Sequence, residues 1–252
     1  MKKIFALIAA VIPAFALAAG GEIHLDKHLT DLTDTASLQR GAQTFANYCM
    51  GCHATSHARY NRVARDLEIP EKLMMANLVP DPDKRFGDLM TIAMTTPDAK
   101  QWFGAPPPDL TLVARVRRPD WVYTYLRSFY VDPSRPWGVN NLVFKDVGMP
   151  HVLAGLQGVQ KLGTAQVAVG FDTLTGQEIT EEHHDVLYLA EEGSLSASEY
   201  DKLVFDLVNF LTYMAEPIAV ERERLGWWVL LFLAIFFVPV YMLNKEFWRD
   251  VK

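Results

Sequence analysis

The chain of 252 residues has two cysteines, and both fall in Cys49-Met50-Gly51-Cys52-His53. C-x-x-C-H is the attachment signature of c-type haem. Two thiols must reach the two vinyl groups on one edge of a porphyrin, and residues at i and i+3 of a helical turn lie on the same side. The histidine that follows is carried under the iron as the proximal ligand. Gly51 keeps the turn small where the backbone nears the macrocycle. The competing readings are a redox disulfide and half of a zinc site. The first needs a βαβ context, which the pattern lacks, and the second needs another ligand pair, for which there are no further cysteines.

A low-spin electron carrier also needs a sixth ligand, commonly methionine. Met74, Met75, Met90, Met94 and Met214 lie in segments that read as helix, where methionine is usually core filler. Met149 sits in Asp146-Val147-Gly148-Met149-Pro150, a loop that can present a thioether to a haem face. His151 is the rival, since the same loop could offer either side chain. The run Ala105-Pro106-Pro107-Pro108-Asp109-Leu110-Thr111 is stiff and extended, and suits one wall of a haem pocket. Arg115, Arg117 and Arg118 follow it and could pair with haem propionates, although an arginine-rich stretch is more often a solvated face.

Two helices must position this chemistry. Gly41, Phe45 and Cys49 recur every four residues on a helix predicted from about Thr35. Gly41 would let another helix approach closely. Ser196 with Glu199 forms a capping box, and Leu203, Val204, Leu207, Val208, Leu211 and Met214 follow at helical spacing. This second helix is expected to cross the first near Gly41 and to end before Pro217.

The ends of the chain carry addresses. Met1-Lys2-Lys3, the apolar run Ile4–Phe15 and Ala16-Leu17-Ala18 make a secretory signal peptide over 1–18. Its removal would take the formal net charge of −6 two units further negative. Leu225–Leu243 is free of charge and would span about 28 Å as a helix, close to the hydrocarbon core of a bilayer. Trp227, Trp228, Tyr241 and Trp248 occupy the interfacial positions. Residues 19–224 then form one exported domain in the periplasm, 225–243 a bacterial inner-membrane anchor and 244–252 a cytoplasmic tail. The acidic balance argues against a nucleic-acid surface. Ten acidic residues against one lysine between Phe171 and Asp206 read as a solvated loop and helix face, with steering of a basic partner as the functional alternative. His24, His28, His57, His183 and His184 read as surface or loop residues.

These motifs together resemble the cytochrome c1 family, the haem-bearing subunit of the quinol–cytochrome c reductase (cytochrome bc1) complex. The resemblance rests on Cys49–His53, Pro107-Pro108-Asp109-Leu110 and the arginines after it, Gly148-Met149-Pro150, and Asp206 to Pro217 ahead of a tail anchor. It implies an all-α, class I cytochrome c-like haem domain with long insertions, plus one C-terminal transmembrane helix. It implies one covalent haem c on Cys49 and Cys52, with His53 and Met149 as axial ligands and Arg117 and Tyr123 at a propionate. The implied partners are cytochrome b, the Rieske iron–sulfur protein as donor and a soluble cytochrome c as acceptor. Trp102-Phe103 stand where the family often has asparagines, and His151 where another proline is common. The rivals are an anchored cytochrome of an oxidase or nitric oxide reductase, and a haem sensor or enzyme with an open sixth position.

Overall fold

The computed structural model describes residues 24–171 and 178–250. The signal peptide expected over 1–18 lies outside them. The first helix, α1 (Thr35–Thr44), starts where Asp34 accepts a hydrogen bond from the Ser37 N–H, which satisfies a donor otherwise orphaned at a helix start. The chain then widens into a π-helical turn, Phe45–Cys49, closed by Met50 N–H to Phe45 O at 2.9 Å. Such wide turns recur at functional sites. Here it delivers Cys49, and the next turn is tight: the Cys52 and His53 N–H groups both donate to Cys49 O.

The partner of α1 comes from the far end of the domain. Helix α8 (Ala197–Ala215) opens with the complete reciprocal capping box of Ser196 and Glu199, and it ends before Pro217. The two helices cross where the sequence places Gly41. A Cβ there would lie 2.1 Å from Asp206 O and 2.6 Å from Phe210 Cβ. Phe45 and Phe210 are fully buried beside the crossing, with ring centroids 5.6 Å apart. Leu38, Val204, Leu207 and Val208 complete this layer. Asp206 is buried in the seam but fully partnered. It accepts from Ser37 Oγ at 2.6 Å and from Arg40 through Nε (2.6 Å) and Nη2 (3.0 Å). Burial of a carboxylate is tolerable only with such partners.

Between the two helices the chain is short-pieced. Strand β1 (Thr55–Arg59) pairs antiparallel with β2 (Leu89–Met90) across α2 (Tyr60–Asp66) and α3 (Glu71–Asn77). Helices α4 (Thr96–Phe103), α5 (Val113–Arg117) and α6 (Pro119–Arg127) flank the proline run. Strands β3 (Phe129–Val131) and β4 (Val139–Asn141) form a second antiparallel pair, and α7 (Ala154–Gln157) precedes the last strands. Met90 lies on a strand and Met94 in irregular chain, so neither is helical as its segment reads. Met74, Met90 and Met214 are nonetheless buried core filler.

One element departs from the sequence reading. Residues 178–192, read as part of a solvated loop, form β6 (Glu178–Glu192), paired antiparallel with β5 (Gly158–Phe171). The acidic residues and the three register irregularities obscure the period-2 pattern on which strand recognition rests. The base of the hairpin is sterically set. Gly158 has φ +96°, and a Cβ there would meet Glu191 O at 2.2 Å, so only glycine fits. The haem-side core thus remains helical, with three two-stranded additions among the described residues.

Helix α9 (Ala219–Phe247) contains the expected anchor and runs on past Pro239. None of its residues is buried, its mean hydropathy reaches 2.2, and it is long and apolar enough to cross a membrane. Glu216 marks the junction between domain and anchor. It pairs with Arg115 of α5 at 3.6 Å and with Arg222 of α9.

Candidate haem site

The C-x-x-C-H turn is gripped by the proline run. His53 is buried, and its Nδ1 lies 2.8 Å from Pro108 O. A carbonyl only accepts, so Nδ1 carries the proton and Nε2 keeps its lone pair for a metal. Burial pushes the imidazole below its usual range, against the opposing pull of Pro108 O and Asp109, so it stays neutral. Leu110 N–H donates to Ala54 O at 2.9 Å and holds the two strands of chain side by side. Cys49 is buried and Cys52 half-buried. Burial, with Cys52 beside it, pushes the Cys49 thiol up to about 12.

Asp109 is the clasp of this grip. It accepts from Ser56 N–H (2.8 Å) and Oγ (2.6 Å) and from Thr111 N–H (2.8 Å) and Oγ1 (2.5 Å). Burial would raise its pKa, but these bonds outweigh it and hold the carboxyl down at about 2. The folded-state pKa is depressed below the unfolded value of about 3.9. Its stabilisation is therefore complete above pH about 4 and lost as the pH falls through about 2. Asp109→Asn is expected to melt below the wild type at neutral pH. The gap between the two melting temperatures should close on acidification towards pH 2, and a gap that does not change with pH would contradict this assignment.

Met149 lies in a loop, as its Gly-Met-Pro context predicts, and is half-buried. Tyr125 Oη donates to its Sδ at 3.3 Å. Tyr125 belongs to a column on one face of α5 and α6. The Arg117 guanidinium sits 5.1 Å from the Trp121 ring centre, and Trp121 stacks on Tyr125 at 5.0 Å and 9°. Trp121 and Tyr125 lie one turn apart on α6, and Arg117, the last residue of α5, reaches Trp121 across the break at Arg118, whose φ is +72°. Burial pushes the Tyr125 phenol up, so it remains a donor.

His151 is otherwise engaged. Its Nε2 lies 2.8 Å from Gln157 Oε1, and its ring stacks on Phe129 at 4.7 Å and 2°. The two side chains that the loop offers thus have different surroundings. Tyr123 does not join Met149. It lies on the other face of α6, under the Arg127 guanidinium (4.6 Å) and 5.3 Å from His28. His28, read as a surface residue, is buried instead: Nδ1 meets Thr30 Oγ1, Nε2 meets Phe205 O, and its N–H donates to Asp120 Oδ1. Burial drives its pKa below the usual histidine range. His24 and His57 are exposed as expected. Trp102 is exposed and Phe103 packs against Trp137 at 5.6 Å. Tyr125, Asp109 and the Pro108 carbonyl were not evident as functional groups in the sequence. The four-residue spacing of Arg117, Trp121 and Tyr125 was the one available signal.

Two thiols on one turn, an imidazole with a fixed tautomer and a loop thioether are the donor set of a covalently held, six-coordinate haem, and the residues fit that group. Comparison with known proteins points the same way. The model of the Cytochrome C1 family matches residues 25–157 and 176–251, leaving out all of β5. A cytochrome c1 of Allochromatium vinosum is 51% identical over 252 residues, covering 99% of each chain. A Nitrosomonas europaea protein called ammonia monooxygenase gamma subunit is 42% identical over 251 residues, covering 100% of this chain and 99% of its own. A cytochrome c1 of Blastochloris viridis is 29% identical, covering 100% and 95%. With the family model matching most of its length and a relative this similar from end to end, the chain belongs to the cytochrome c1 family.

Proposed function

We infer that this chain is the electron-transfer subunit of a quinol–cytochrome c reductase, in a membrane complex with cytochrome b and the Rieske iron–sulfur protein. We propose that it carries one haem c, with thioethers to Cys49 and Cys52 and axial bonds from His53 and Met149. The haem supplies one-electron chemistry, and the chain supplies attachment, ligands and docking. His53 offers Nε2 because Pro108 O holds the proton on Nδ1. Met149 offers its sulfur from a loop tied down by Tyr125. Arg117 lies at the end of the column that leads to Met149, which favours it as the propionate partner. Tyr123, packed against His28 and Arg127, acts instead in holding the N-terminal segment.

Membership of the family supports donation from the Rieske protein, and the chain then delivers the electron to a soluble cytochrome c. The domain stands in the periplasm, with α9 as the inner-membrane anchor. The observation that carries the reading is the His53–Pro108 contact on the C-x-x-C-H turn, since it leaves Nε2 available as an iron ligand. Solubilisation in mild detergent tests it. The chain is expected to copurify with a b-type cytochrome and an iron–sulfur protein, and its haem should stay on the polypeptide after denaturation. Haem released by denaturation would overturn covalent attachment, and copurification with an ammonia-oxidising complex instead would overturn the reductase assignment.

A further inference from the structure

We propose that Arg135 is a further haem-binding residue, whose Nε donates a hydrogen bond to a haem propionate. The inference rests on the reading that this pocket holds a haem. Among the described residues, two buried side-chain polar atoms lack a hydrogen-bond partner, Thr55 Oγ1 and Arg135 Nε. Only the second belongs to a charged group. Folded chains seldom leave such an atom unmatched, because it gives up its hydration and gains nothing in return. The far end of the same guanidinium is satisfied. Nη1 donates to Asp146 Oδ1 at 3.1 Å and Nη2 to Asp146 O at 2.8 Å. Asp146 is therefore engaged, and the acceptor for Nε comes from outside the chain.

The turn that carries Arg135 is braced. The Asp132 carboxylate accepts from Ser134 N–H (3.0 Å), Ser134 Oγ (2.6 Å) and Asn140 Nδ2 (2.9 Å). Asp132 N–H donates to Gly138 O at 2.9 Å and Gly138 N–H to Arg135 O at 3.0 Å. The same turn touches both walls of the site. Trp137 packs against Phe103, which leads into the proline run that holds His53. Asp146 stands three residues before Met149 and also donates its N–H to Asn140 Oδ1 at 2.8 Å. Arg135 thus lies where the His53 wall and the Met149 loop meet, with one N–H left over.

A haem held between those two ligands brings two propionates, and a guanidinium N–H is a strong donor to a carboxylate. A cation at this place also acts on the iron. The ferric haem carries one positive charge more than the ferrous, so a nearby guanidinium favours reduction.

Arg135→Gln in the full, haem-loaded chain is expected to lower the ferrous-to-ferric ratio at a fixed applied potential about three- to tenfold. Asp146→Asn cuts the same tie to the methionine loop but leaves the cation in place, and it should not lower that ratio. Isotopic labelling of the propionate carboxyls locates the contact. The label-sensitive bands of the redox-difference infrared spectrum should move in Arg135→Gln. Should that variant fail to load haem, Arg135→Lys, which keeps the charge without the Nε donor, must move the same bands. Unmoved bands, as expected if Nε holds only water, overturn the inference. So does an equal fall in potential in Arg135→Gln and Asp146→Asn, which would make Arg135 a tie for the loop and nothing more. Absence of haem from the wild-type chain would overturn the underlying reading instead.

Discussion

Replacing Met149 with leucine is expected to lower the reduction potential by hundreds of millivolts, as axial ligands set haem potentials over about 0.8 V. The substitution is nearly isosteric, which ordinarily costs less than about 1.5 kcal/mol, so the fold should survive it. The proximal side stays intact, because His53 is held by Pro108 from a segment 55 positions away. The change therefore removes the proposed ligand and little else. The ferrous variant is expected to bind carbon monoxide, whereas the wild type should resist it. Potentiometry and the ferrous spectrum under carbon monoxide check both points. If the spectrum and potential stay as they were, Met149 is not a ligand and the open-site sensor reading gains. His151 is poorly placed to replace it, with one ring nitrogen on Gln157 and its face on Phe129.

Gly41→Ala is expected to destabilise the domain by about 3 kcal/mol or more, at the upper end of overpacking costs. Alanine is the better helix former by about 1 kcal/mol, yet the added methyl would lie 2.1 Å from a backbone oxygen of the facing helix. Backbone cannot rotate away as a side chain can, so α1 and α8 must separate. Phe45 and Phe210 would part with them, and the buried Asp206 seam would open towards water. For a domain of this size the melting temperature should fall by about 6–12 °C. Gly155→Ala is the control, since a Cβ there meets nothing within 4 Å. Equal stability of the two variants would remove the close crossing as a feature of the fold. Because α1 runs straight into the turn that bears Cys49, Gly41→Ala should also reduce the yield of haem-loaded protein.

The site was legible in the sequence where its chemistry is local. The spacing of Cys49, Cys52 and His53 is a property of one helical turn, and the Gly148-Met149-Pro150 context needs only a loop. The crossing at Gly41 was legible too, since a small residue in register with Phe45 marks a near contact wherever its partner comes from. The acidic hairpin was not, because charged residues carry no inward-facing period. Nor was the burial of His28, whose partners Asp120 and Phe205 lie 92 and 177 positions away.

By itself, then, the sequence determined the haem-attachment turn, the capped helix from Ser196, the tail anchor and a short set of candidate sixth ligands. Each depends on residues within a few positions of one another, where backbone geometry leaves little choice. Tertiary structure decided which nitrogen of His53 is free and that Tyr125 stands beside Met149. Those outcomes depend on hydrogen bonds between segments 24 to 55 residues apart. No local preference specifies such pairings; they exist only once the helices have packed around Gly41.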